Sequence, residues 1–193
     1  MTAIAWTDLL LPSLLSAVLV FFASFLIHAV LKLHNSEYHK FSNEDEVRAV
    51  VRKGSPAAGM YITPHCHEGK MSPEIQQKFA EGPNMKIYIL PSGQIQMVKF
   101  LGKWFVYTFV VSLIAGYVAR SILPAGTEYL KVFQVVGASA WLAYAWQSPA
   151  DSIWAGKPWG STVRAMADGL LYAALTAGAF GSLWPHVAAA VQK

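Results

Sequence analysis

The chain has 193 residues, of which 54% are hydrophobic and 13% are charged, and its formal net charge is +4. Soluble domains carry roughly 25% charged residues, so this composition favours a membrane-embedded protein. The basic residues form no dense stripe with interleaved aromatic side chains, which argues against a nucleic-acid partner. The single cysteine, Cys66, excludes a disulfide within the chain.

Four apolar runs of about 20 residues are each long enough to cross a hydrocarbon core of about 30 Å. The first run lacks the basic leading region of a cleavable signal peptide, so it is predicted to remain attached as a span. The predicted fold class is an all-α membrane protein, a four-transmembrane-helix bundle with a small α+β cytoplasmic insertion between helices 1 and 2. The four spans are predicted at about 12–33, 100–123, 129–146 and 159–184.

The composition between the first two spans changes to polar and charged. Two runs in this region, 59–63 and 85–90, are rich in Ile, Tyr and other strand formers. Ser42 or Asn43 can cap a short helix before the first run, and Ser72 opens a second short helix before the second run. The predicted order is therefore helix, strand, helix, strand. The predicted domains are a tail with helix 1 at 1–33, the insertion at 34–99, and helices 2–4 with a C-terminal tail at 100–193.

A small residue recurs at every fourth position of the last span. On a helix this spacing stacks the small residues along one face, which lets another helix backbone approach closely inside a bilayer. The second span carries a similar pair. The predicted helix-packing residues are Ser161, Ala165, Gly169, Ala173, Ala177 and Gly181 in the last span, and Ser112 and Gly116 in the second.

The distribution of Lys and Arg predicts the orientation of the spans. Most of the basic residues near span ends flank the insertion or the short return segment 147–158 between spans three and four. Cytoplasmic loops carry the excess of such residues, so the insertion is predicted to be cytoplasmic and both termini are predicted to lie outside.

Five polar residues are predicted to lie at a similar depth in the inner leaflet: His28, Gln147, Asp151, Arg164 and Asp168. One interpretation is that Arg164 and Asp168, one helical turn apart, neutralise each other while the last helix packs. The other is that His28 and Asp168 exchange a proton or bind a substrate in a water-filled cavity, because ionisable groups inside a membrane are candidates for function.

The segment His65-Cys66-His67-Glu68 is a weak candidate for a metal site. In an extended segment His65 and His67 point to the same side and could share an ion, but two ligands do not complete a structural zinc site. A polar turn is the simpler interpretation. Haem between helices needs a second axial histidine at matching depth, which the other spans lack, so no cofactor is predicted.

The familiar motifs of soluble enzymes are absent from the sequence. There is no nucleophile elbow, no phosphate-binding Walker loop, no His-Glu-Xaa-Xaa-His and no dinucleotide fingerprint. This absence favours a protein that is not an enzyme.

Six short segments of the chain carry a resemblance to other proteins: Asp151-Ser152-Ile153-Trp154, Lys157-Pro158-Trp159, Asp168-Gly169-Leu170-Leu171-Tyr172, Gly181-Ser182-Leu183-Trp184-Pro185, Tyr38-His39-Lys40 and His65-Cys66. In these segments the chain resembles a family of small bacterial four-span inner-membrane proteins. The resemblance implies a multi-pass protein of the bacterial inner (plasma) membrane, and it supplies no activity.

Two functions remain as expectations from the sequence. The first is a non-enzymatic accessory or assembly factor whose insertion meets a partner at the cytoplasmic face. The second is a small proton-linked transporter or channel, built as an oligomer because four short spans leave little room for an enclosed pathway. The expected partners are the lipid bilayer and either further copies of the chain or another membrane protein.

Overall fold

The computed structural model describes residues 4–66, 69 and 71–186, and it is mostly helical with one small sheet. The chain divides into two compact units, the first made of Met1–Tyr38 with Gln96–Lys193 and the second of His39–Ile95. In chain order, the helices and strands are α1 (Leu10–Phe25), α2 (Glu44–Lys53), β1 (Gly59–Thr63), α3 (Pro73–Glu81), β2 (Met85–Ile89), α4 (Met97–Ile122), α5 (Tyr129–Ala145), α6 (Gln147–Ala155) and α7 (Trp159–Ser182).

Short irregular helical turns extend α1 at both ends. A 3-10 turn, Trp6–Leu9, precedes it, and a π-helical turn, Leu26–Val30, continues it toward a second 3-10 turn at Asn35–Glu37. Because the π turn follows α1 without a break, the helical segment is longer than α1 itself. It therefore covers most of the first predicted span.

Helices α5 and α7 pack along each other and, with α1 and α4, form the first unit. Close approach is possible because the seam between α5 and α7 is lined by small residues. A Cβ atom added to Gly169 would lie 2.8 Å from the Cβ of Ala145 on α5. A Cβ on Gly116 of α4 would overlap the ring of the fully buried Phe180 on α7. Glycine at these two positions is therefore required by the distance between helices.

None of the eight residues predicted to pack helices is exposed in the structure. Ala165 and Gly181 are half-buried. The buried ones are Ser112, Gly116, Ser161, Gly169, Ala173 and Ala177.

Many large apolar side chains lie on the outside of the first unit, and several hydroxyl-bearing residues lie inside it beside apolar ones such as Phe180. Leu11, Phe22 and Val163 are more than half exposed. Ser16 and Thr176 are fully buried, and the Ser16 hydroxyl donates to Thr176 Oγ1 at 2.8 Å. In a water-soluble domain the large apolar residues are the ones most often buried, so this extent of apolar exposure is unusual for such a domain.

Two helical segments among the described residues are long and apolar enough to cross a membrane, namely Trp6–Val30 and Met97–Ile122. Helix α5 has 17 residues and is short for a span, and α7 is long enough but carries Arg164 and Asp168 and is not apolar enough. Length and composition therefore support membrane association through two candidate spans, and the four-span bundle remains a prediction.

The second unit has the predicted order of helix, strand, helix and strand. Strands β1 and β2 form an antiparallel pair in which Met60 faces Tyr88. Helix α3 begins at the Ser72 cap, whose hydroxyl accepts a hydrogen bond from the backbone of Ile75 at 3.2 Å. Helix α2 has three acidic residues in its first turn and two basic residues in its last, the order that the helix dipole favours.

The return segment between the last two long helices is itself helical, which the sequence analysis did not predict. Helix α6 ends at Gly156, whose φ of 70° lies in the left-handed region that glycine adopts without strain.

Replacing Gly169 by leucine is expected to destabilise the first unit because the new side chain collides with Ala145. Overpacking of this kind costs about 1–3 kcal/mol. The matched control is Gly160→Leu at the start of α7, where an added Cβ meets no other atom within 4 Å. The melting temperature in detergent should fall for Gly169→Leu and stay near the wild-type value for Gly160→Leu, and equal values for the two variants would contradict the close packing.

Candidate functional site

The site is a pocket of about 330 Å³ within the first unit, where the chain leaves α1 and α7 begins. Aromatic side chains from α4, α5 and α7 form one part of its wall, and polar side chains form the other. The aromatic residues are Trp104, Tyr107, Tyr144 and Tyr172, and the ionisable groups apart from the tyrosines are His28, His34, Glu37, Lys157 and Asp168.

The backbone leaves the helical path in a turn between His28 and His34. The π turn ends with the Leu31 N–H donating to the Leu26 carbonyl at 2.8 Å, and Lys32 then takes a φ of 52°. A non-glycine residue in this region costs about 1–3 kcal/mol, so surrounding contacts must hold it there. The turn stacks the ring of His34 on that of His28, with centroids 4.5 Å apart.

His34 lies between two carboxylates. Its Nε2 is 2.7 Å from Asp168 Oδ2 on α7, and its Nδ1 is 2.6 Å from Glu37 Oε1. A neutral imidazole donates from one nitrogen only. With a carboxylate at each ring nitrogen, the site needs either a second proton on the imidazole or another positive charge beside it. Otherwise a lone pair on nitrogen would face a lone pair on oxygen.

His28 and Arg164 extend this cluster at its two ends. The Nε2 atom of His28 lies 3.7 Å from Asp168 Oδ2, and the His28 side chain is 48% exposed against 16% for Asp168. Arg164 Nη1 approaches Glu37 Oε1 at 3.5 Å. The cluster thus alternates cationic or titratable nitrogen groups with carboxylates, from His28 through Asp168, His34 and Glu37 to Arg164.

Glu37 is held in its ionised form. Burial alone would raise the pKa of its carboxyl group, but hydrogen bonds from His34, Ser161 and Arg164 and the charge of His34 outweigh burial and leave the pKa below its ordinary value. At neutral pH Glu37 therefore carries a negative charge that faces Nδ1 of His34.

The indole nitrogen of Trp104, a residue that lines the pocket, is a buried donor. Its Nε1 has no hydrogen-bond partner among the described residues. An indole N–H can only donate, and a buried donor without an acceptor costs about 1–3 kcal/mol. The nitrogen is closed to solvent, so its missing partner is a cost to packing and does not identify a ligand for the pocket.

The structure brings three of the five predicted polar residues together. His28 and Asp168 lie side by side, as the second interpretation of the sequence required. Arg164 joins the cluster through Glu37, so its described ion pair is made with a different acid from the Asp168 that the first interpretation proposed.

Gln147 and Asp151 do not contribute to this pocket. Gln147 Nε2 donates to Asp151 Oδ1 at 3.1 Å, one turn apart on α6, and neither residue is among those that line the cavity. The similar depth in the membrane that was predicted for these two residues and for His28 therefore did not mean that they share a pocket with it.

The weak metal candidates belong to the second unit. His65 is exposed just after β1, and Cys66 is half-buried. His67 and Glu68 lie outside the described residues, so the shared ion between His65 and His67 stays a prediction.

Sequence reasoning missed His34 and Glu37 as members of the site. Both follow the predicted end of the first span and were assigned to the insertion. The spacing of six residues between His28 and His34 matches no helical face, and only a turn in the chain can bring the two rings together. The available signal was the local density of ionisable groups from His28 to Glu37.

Comparison with protein families, with curated proteins and with solved structures found no match to this chain. The site must therefore be interpreted from its own geometry and chemistry.

Removing His34 should destabilise the first unit because two partly buried carboxylates lose a shared partner. Hydrogen bonds to charged groups contribute about 1.5–3 kcal/mol each. His34→Ala is therefore expected to lower the melting temperature in detergent, whereas His39→Ala, at an exposed histidine five residues along the chain, should not. Indistinguishable melting curves for these two variants would show that the His34 contacts contribute little to stability.

Proposed function

We propose that this chain is an integral membrane protein in which α1, α4, α5 and α7 all face lipid. The support comes from the distribution of side chains, in which many leucine, valine and phenylalanine residues face outward while serine, threonine, alanine and glycine are prominent in the interior. Helices in bilayers pack through small and hydroxyl-bearing residues because apolar side chains gain nothing by leaving lipid tails. The same pattern on α7 supports a span that composition alone does not identify.

The ionisable groups on α7 are compatible with a span because they lie in its first half and have partners. Asp168 contacts His34, and Arg164 contacts Glu37. Charged residues in spans usually face the protein interior or a water-filled cavity and pair with one another. Asp168 lines a cavity in this protein.

We propose that the protein acts as an accessory factor that holds a small polar ligand in this pocket. The observation that carries the proposal is the convergence of His28, His34 and Asp168 on one cavity. Polar groups of this kind are costly beside lipid, so packing alone does not account for three of them at one place. Orientation with the second unit in the cytoplasm and both termini outside is part of the same proposal.

The second unit is suited to meeting a protein partner. No residue of its four described elements is buried. On one face of the sheet Met60 is 71% exposed and its cross-strand neighbour Tyr88 is 61% exposed. An isolated two-stranded sheet is only marginally stable in water, so a protein that binds over this apolar face would stabilise the sheet.

Transport is the second candidate, favoured by a line of hydroxyl groups inside the first unit. Ser16 donates to Thr176, and Ser112 donates to the Ser13 carbonyl at 3.1 Å. All four residues are fully buried. Such groups join helices in bilayers, and in an oligomer they could also line a path for an ion or small solute.

Single cysteines in a Cys66→Ser background can count the spans. Four spans place Glu128 and Trp154 on opposite sides of the membrane, whereas two spans at α1 and α4 place both on the same side. We expect a membrane-impermeant maleimide to label Glu128→Cys from outside intact cells and Trp154→Cys only after the membrane is opened. Ala177→Cys, at a buried position on α7, is the unlabelled control. Labelling of both exposed sites from one side would overturn the four-span arrangement.

The accessory and transport functions predict different results for the purified protein. An accessory factor should co-purify with a stoichiometric partner that Met60→Ser with Tyr88→Ser removes, and it should move neither protons nor solute in proteoliposomes. Flux that Thr176→Val abolishes and that Thr127→Val, in the turn between α4 and α5, leaves intact would instead favour transport.

A further inference from the structure

We propose that His28, His34 and Asp168 bind a divalent transition-metal ion of the zinc type. This inference rests on the proposed ligand-binding function of the pocket and names the ligand. The donor set of two imidazoles and one carboxylate is typical of sites that keep a coordination position open, as catalytic zinc sites do with three protein ligands.

The three ligand atoms already lie at distances close to those of a metal site. All are within 4.8 Å of one another. With bonds of about 2.0–2.2 Å, the donors of a tetrahedral zinc site are roughly 3.3 Å apart. The distance of 3.7 Å from His28 Nε2 to Asp168 Oδ2 and that of 2.7 Å from His34 Nε2 to the same oxygen lie on either side of this value. The third pair, His28 and His34, lies within the same 4.8 Å, and these stacked rings would rotate so that a lone pair of each points at one ion.

Glu37 orients His34 as an outer carboxylate orients a metal-bound histidine. Its Oε1 atom lies 2.6 Å from Nδ1 of His34, so it accepts the proton of that nitrogen and leaves the lone pair on Nε2 directed at Asp168. Ligating histidines in metalloproteins almost always donate their second N–H to a carboxylate, carbonyl or water. Glu37 in turn contacts Arg164, which balances its charge.

A bound cation also resolves the electrostatic demand of the site. Asp168 and Glu37 both face His34, and a neutral imidazole satisfies only one of them. A metal ion between Nε2 of His34 and Oδ2 of Asp168 supplies the missing positive charge. His28, which is half exposed at the edge of the pocket, then supplies the third ligand to the ion.

The fourth position has room for a water molecule or an anion. The three ligands line the cavity of about 330 Å³ together with Trp104 and Lys157. The amine of Lys157 donates to Ser148 Oγ at 2.7 Å and keeps two further donors, which favour an acceptor or an anion in this space.

Equilibrium dialysis of the untagged, detergent-purified full chain against Zn²⁺ and Co²⁺ tests the site. We expect one equivalent of metal per chain, and Co²⁺ should give the visible absorption of a four-coordinate nitrogen and oxygen site. His28→Ala and Asp168→Ala each remove a ligand, so they should weaken binding by more than the roughly 10- to 100-fold that loss of an outer-shell partner costs. His39→Ala should bind as the wild type does, since His39 lies in the second unit.

His28→Ala keeps the test decisive if Asp168→Ala fails to fold, because His28 is half exposed and its loss leaves the His34 contacts in place. Binding below stoichiometry by the wild type, or equal affinity for wild type and His28→Ala, would overturn the metal site. Glu37→Gln should retain the metal and weaken binding about 10- to 100-fold, as expected of an orienting carboxylate.

These outcomes are separable from the proposed membrane function. The number of spans, the co-purifying partner and the flux measurements do not require a metal. If the chain has four spans and a partner but binds no metal, the metal site is wrong and the pocket holds a different polar ligand. Metal binding by a chain labelled from one side only would keep the site and remove the four-span arrangement.

Discussion

The contact between Asp168 and His34 is the interaction on which the rest of the site depends. A carboxylate in the first half of α7 would be unfavourable beside lipid unless a positive or hydrogen-bonding partner compensated it. The chain meets this requirement by turning after α1, with Lys32 in a strained conformation, so that the His34 ring reaches Asp168. The same turn stacks His34 on His28 and directs its other nitrogen at Glu37.

The close packing of the helices and the polar pocket are two consequences of one arrangement. Small residues such as Gly169 let α7 approach α5, so small side chains fill much of the bundle core, together with a few large ones such as Phe180. Many other large apolar residues lie on the outside, which suits a bilayer. Where the helices end, polar and aromatic side chains replace the small ones and leave the cavity that Asp168 lines.

The polar pocket is a feature that both proposed functions would use. A ligand-holding accessory factor and a transporter both need a polar site shielded from lipid, and the donors at His28, His34 and Asp168 define a chemistry that either could use. The second unit favours the accessory function, because its sheet presents Met60 and Tyr88 outward. The buried hydroxyl groups favour transport, so the experiments on these two features separate the alternatives.

The sequence by itself determined what depends on near neighbours in the chain. It predicted the helical segments and the helix, strand, helix, strand order of the second unit, because caps, apolar runs and strand formers act locally. The tertiary structure alone decided the partners of the polar groups. His34 and Asp168 are 134 positions apart, Arg164 contacts Glu37 although Asp168 is one turn away, and Gln147 pairs within α6. These partners depend on the turn after α1 and on helix packing, and the spacing of the residues in the sequence does not predict them.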